Sequence, residues 1–218
     1  MSELQGSWNK LSEEERQIIR ESWKHTLPNE YDVYCLHDLK SQDSLHIPGS
    51  LYVVGNINCY DLAVDGDLIV AGHIDCFAIE VAGNFVAYNY IESNLCSIKV
   101  DGNFISYGVI GCCGNIRVLG NFIAHRAISC ANLDIRKDFL AFDSVSCKDI
   151  FVFGSAIIYN DIESLSIIVT GDFTVGNLVS SNLIYVCESF SCYDVNSHGY
   201  SCYAKDFVCM KYMEIKNQ

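Results

Sequence analysis

The chain has 218 residues, half of them hydrophobic, and carries 27 acidic against 14 basic side chains, a formal charge of −13. That apolar content supports a substantial core and excludes a disordered chain. The charge excludes nucleic acid and anionic membrane as partners, since both need clustered positive charge. It favours a basic partner. No window reaches the ~18 uninterrupted apolar residues of a membrane span. The opening MSELQGSWNKLSEEERQ lacks the basic start and apolar run of a secretory signal. The expected location is therefore the cytoplasm, where the 12 cysteines stay reduced.

Residues 1–44 read as a helical cap. Ser12-Glu13-Glu14-Glu15 is a capping box, with Ser12 as N-cap and Glu15 at the third helical position. Leu11, Ile18, Ile19 and Trp23 form the apolar stripe of a helix ending near His25, and Pro28 follows it.

From residue 45 to 209 the chain repeats itself. Val64-Asp65-Gly66-Asp67-Leu68 returns as Val81-Ala82-Gly83-Asn84-Phe85. Taking Gly66 as anchor, the equivalent positions are Gly49, Gly83, Gly102, Gly120, Lys137, Gly154, Gly171, Glu188 and Lys205. Every step is 17 residues except one of 19 and one of 18. Each column of this repeat has its own chemistry. Two before the anchor stands a β-branched residue (Val64, Val81, Val100), and four before it an aliphatic one (Leu62, Ile79, Ile98). Two after it the column becomes aromatic: Phe85, Phe104, Phe122, Phe139, then Ala156, Phe173 and Phe190. Eight after it comes another aliphatic (Ile74, Ile91, Ile110).

Inward residues spaced by two are the period of a strand. Asp, Asn or Ser follows the anchor, and Gly, Asn or Asp stands at a second corner six residues on, as at Gly72, Asn89 and Asn160. These residues tolerate the backbone angles of tight turns. The predicted fold is all-β: a single-stranded parallel β-helix of about ten coils of ~17 residues, right-handed, with three strands and three corners per coil. Stacking at ~4.8 Å per coil makes a rod ~45–50 Å long. Residues 210–218 form a polar tail.

Cysteine recurs ten after the anchor, at Cys59, Cys76, Cys112, Cys130 and Cys147, alternating with Ser93, Ser164 and Ser181. A small inward side chain explains both residue types. The cysteines lack the paired spacing of zinc ligands. No metal and no cofactor is expected.

The GDL, GNF and GDF beats, with an aliphatic residue two before each glycine, resemble the β-helical core of bactofilins over roughly Leu45 to Phe190. The resemblance implies a parallel β-helix and end-to-end polymerisation. Hexapeptide-repeat acyltransferases use an aliphatic-glycine hexad, which this chain lacks.

If positions two and four after the anchor face inward, those three and five after it face out. They carry Ile105, Ile123, Leu140 and Ile157 in one column, and Tyr88, Tyr107, His125, Phe142 and Tyr159 in the next. A contiguous apolar strip on a solvent face marks an interaction site. These nine residues are the candidate protein-binding residues. The histidines are scattered over different columns, and no catalytic triad, phosphate loop or metalloprotease motif occurs, so no catalytic residue is expected. The expected function is a non-catalytic cytosolic binding protein. A bacterial immunity protein that neutralises a basic toxin fits this profile. The alternative is a bactofilin-like scaffold. A homodimer or higher oligomer is expected in either case.

Overall fold

A computed structural model describes residues 31–93, 97–112, 114–196 and 202–210. The predicted helix over Ser12 to His25 and the tail beyond Met210 lie outside the described residues. Within them the chain is a parallel β-solenoid of about ten turns with no helix. Strand pairing is parallel throughout and joins equivalent positions of successive coils, such as Leu62↔Ile79 and Phe104↔Phe122. Pairing begins at Val33, inside the segment 1–44, where Val33–Cys35 lies against Leu51–Val53. It continues to Cys209, paired with Cys192.

Burial follows the predicted columns. Along Ile74–Val81 the alternate positions Ile74 and Cys76 and, with the phase shifted by one past the bend, Ile79 and Val81 are buried, while Asp75, Phe77 and Glu80 are exposed. One coil cannot close a core alone; each inward column becomes a continuous wall only by stacking. Phe85, Phe104 and Phe122 stack with centroids 4.6 and 4.7 Å apart and parallel rings.

The inner walls are matched in volume within each coil. Where the aromatic column carries Phe122 or Phe139, the position two residues on is Ala124 or Ala141. Where it carries Ala156, that position is Ile158, and all six are buried. Large and small exchange places, so the coil keeps its filling. The Phe122–Phe139 step, the last before Ala156, opens to 5.3 Å and tilts by 23°.

The first corner is held by a chain of side-chain acceptors. The backbone N–H of Asn84 donates to Asp67 Oδ1 (2.7 Å), that of Asn103 to Asn84 Oδ1 (3.0 Å), and that of Asn121 to Asn103 Oδ1 (2.9 Å). Ser155, Asp172 and Ser189 continue the run, each N–H reaching the side chain one coil below. Each of these corner N–H groups, turned away from the strand ladder, thus has a partner. The anchor glycine is required by close approach. A Cβ on Gly83 would stand 2.7 Å from the carbonyl carbon of Gly66.

The third corner differs from expectation in part: in several coils it is a bend inside a continuous strand, whereas in others, such as Leu39–Lys40 and Leu45–Ile47, two strands remain separate. Ile57–Val64, Ile128–Ile135 and Val145–Val152 each run eight residues around it. Pairing passes from Cys59↔Cys76 to Asp61↔Ala78, leaving Tyr60 outside the ladder. The cysteine and serine column explains how the strand survives the bend. Ser181 Oγ donates to the Leu183 carbonyl (3.0 Å), Ser164 to that of Ser166 (3.4 Å), and the Cys130 thiol to that of Asn132 (3.6 Å). A small donor at this position satisfies a carbonyl two residues on that the bend would otherwise leave unmet.

A candidate binding face

The nine predicted residues fall on one face in two adjacent columns. Ile105, Ile123, Leu140 and Ile157 pair in register up the rod. The first three are half-buried and Ile157 is 40 % exposed. Beside them the second column forms an unbroken stack of five rings. Tyr88 lies on Tyr107 (5.0 Å, 6°), Tyr107 on His125 (4.5 Å, 12°), His125 on Phe142 (4.8 Å, 11°) and Phe142 on Tyr159 (5.3 Å, 9°).

The in-register parallel strands set this spacing. Equivalent side chains one coil apart stand ~4.8 Å apart, close to the optimum for offset rings. The rings cover one another's faces, so their edges turn outward. Tyr88, Tyr107, Phe142 and Tyr159 remain between 42 and 57 % exposed. Burial of the Tyr88 hydroxyl, and then the charge of Tyr107, push its pKa above the usual phenol value. Toward the amino-terminal end the same face is closed. Tyr34 and Tyr52 stack at 4.7 Å and are each only 5 % exposed.

Other faces have a different character. Three residues before the anchor, the outward column carries Glu80, Lys99, Arg117 and Asp134. Arg117 lies 3.6 Å from Asp134, and Lys99 lies 3.9 Å from Glu80. This is a solvated face with weak mutual pairing. Further up it turns apolar and forms a groove of about 420 Å³ beside Phe151, Phe153 and Ile168. There the Arg136 guanidinium sits 4.3 Å over Phe153, and its Nη2 is 3.0 Å from Asp134 Oδ2. Arg136 is neutralised in place. Sequence columns did not single out this groove, nor the exposed Tyr60–Phe77 pair at the bend (4.7 Å). The groove joins residues of two faces, and the pair stacks equivalent positions of successive bends.

The cysteines are thiols among the described residues. Cys59 and Cys76 place their sulfurs 3.3 Å apart, and Cys130 and Cys147 3.0 Å apart. The hydrogen bond from Cys76 lowers the Cys59 pKa against the opposing effect of burial. Burial raises those of Cys192 and Cys202. Among the described residues no group of three or more His, Cys, Asp or Glu side chains is arranged to hold a metal ion. No helix among them is long and apolar enough to cross a membrane.

The fold and its exposed aromatic column define the class: a parallel β-solenoid with one apolar outer face. Comparison with protein-family models, with curated proteins and with solved structures gives no match.

Proposed function

We propose that the chain is a non-catalytic binding protein, and that the column from Tyr88 to Tyr159 docks a basic protein partner. The carrying observation is the five-ring stack left half in water. Stacking accounts for the pairing of neighbouring rings, at ~0.5–1.5 kcal/mol per pair. It does not account for Tyr88, Tyr107, Phe142 and Tyr159 standing exposed beside a second apolar column, where soluble surfaces carry polar residues. The rings turn edges outward, so their faces are closed to the base stacking by which single-stranded nucleic acid binds. Tyrosine edges with hydroxyls suit a protein interface.

The charge of −13 gives the partner its sign. Opposite charge speeds encounter, and the apolar column then slows release. A toxin neutralised by a rigid acidic rod is the instance that fits best. Affinity capture on the full chain, at low and high salt, tests this reading. The expected catch is a basic protein, lost at high salt and lost with Tyr107→Asp or Phe142→Asp. A catch unchanged by both substitutions removes the column from the interface.

The second reading is self-assembly, as in the bactofilins that the repeat resembles. Among the described residues Val33–Cys35 and Asp206–Cys209 each pair on one side only, which favours end-to-end stacking. Light scattering over a wide concentration range separates the two. Growth of filaments indifferent to Tyr107→Asp supports assembly through the ends.

A further inference from the structure

We propose that the interruption of the aromatic column at Gly176 is a slot for one arginine side chain of the basic partner. The proposal rests on the reading of this column as a binding face.

The column continues past Tyr159 in register. Ile158 pairs with Val175 and Val175 with Cys192, so Tyr159, Gly176 and Tyr193 each follow a residue held in register and occupy the same column of the repeat. The middle coil supplies no ring. Two coils separate the rings of Tyr159 and Tyr193, ~9.6 Å at the usual strand spacing. The intact stack places its rings 4.5 to 5.3 Å apart, so the interruption has room for one planar group at the column's own spacing. Tyr159 is the most exposed ring of the column, at 57 %, as expected of a ring covered on one face only.

The backbone enforces the interruption. Pairing slips between Val175 and Leu178, a bulge that turns the chain at this coil. A Cβ on Gly176 would run into the carbonyl of Tyr159. No side chain of this strand can fill the missing rung without shifting it.

The slot's chemistry selects the occupant. The corner beside it carries Asp143, Asn160, Asn177 and Asp194, with Asp161 two residues beyond Tyr159. Asp143 and Asp161 use Oδ1 to accept the N–H groups of Ser144 (2.8 Å) and Leu178 (3.1 Å). Among the described residues neither Oδ2 has a hydrogen-bond partner. Two ring faces call for a flat group, and carboxylates at one end call for a cation with directed N–H donors. Guanidinium meets both requirements, whereas the ammonium of lysine is compact and does not stack. A neutral aromatic ring would leave the carboxylates unused.

The test is a titration of the full chain with two capped peptides, acetyl-Gly-Arg-Gly-amide and its lysine counterpart, read by the ring NMR signals of Tyr159 and Tyr193. The expected result is saturable shifts at these two rings, with the lysine peptide weaker by about tenfold. Tyr193→Leu, checked for an unchanged amide spectrum, should abolish saturation, and Tyr88→Leu should not. Equal response to both peptides, equal shifts at Tyr107, or no saturation overturns the slot. Such a failure is distinct from failure of the binding face, which is read by Tyr107→Asp and Phe142→Asp against the whole partner.

Discussion

The Asn103 side chain bridges three coils: its Oδ1 accepts the N–H of Asn121 at 2.9 Å while its Nδ2 donates to Asn84 Oδ1 at 3.2 Å. The corner is therefore not a loop tolerated by glycine but a hydrogen-bonded column in its own right. Asn103→Ala removes an acceptor from a corner N–H and should lower stability by about 1–2 kcal/mol. Asn103→Asp keeps the acceptor and should cost less. Urea denaturation midpoints of the two variants measure the difference.

The exchange of large and small residues between Ala156 and Ile158 predicts a compensating pair. Ala156→Phe alone overpacks its coil, at a cost of about 1–3 kcal/mol. Ile158→Ala alone leaves a void, at about 2–5 kcal/mol. The double variant recreates the pattern of Phe139 and Ala141, and should be more stable than the sum of the two single changes implies. Thermal unfolding of the four chains closes this cycle.

The thiols at the bend act as short hydrogen-bond donors. Cys130→Ser should leave unfolding nearly unchanged, because serine at Ser181 makes the same bond at 3.0 Å. Cys130→Ala adds no bulk but removes the donor to Asn132, and should cost about 1–3 kcal/mol. Denaturation in the presence of reductant separates the two variants.

Asp38 provides a pH-dependent contact in the first described coils. The Asn56 N–H, 2.9 Å from Asp38 Oδ1, and then Lys40 hold its carboxyl below the usual carboxylate value. A depressed folded pKa means stabilisation that is present above the ordinary carboxylate range and is lost as pH falls through the lowered value. The protection of the Asn56 amide, taken relative to its intrinsic exchange rate, should fall as the solution is acidified below about pH 4. Asp38→Asn keeps an acceptor without the charge and should flatten that dependence.

The fold was legible because a solenoid writes each wall as a column: Val64, Val81, Val100 and Val118 recur where each coil must bury the same position. The outward column from Tyr88 to Tyr159 was legible for the same reason, since strand alternation fixes its phase once the Phe column is placed inside. Three features were not. The continuous bend at Tyr60 depends on a thiol or hydroxyl reaching a carbonyl, which residue spacing does not encode. The groove beside Arg136 joins residues of two faces. The slip after Val175 is a backbone event whose only sequence trace is a glycine in an aromatic column.

The most direct test of the binding face is photo-crosslinking in the cell, with a benzophenone side chain placed at Tyr107 in one variant and at Lys148, on the bend, in another. The account predicts an adduct with a basic protein from position 107, absent from position 148 and lost when Phe142→Asp is added. Equal adducts from both positions, or an adduct of two copies of this chain alone, would contradict it.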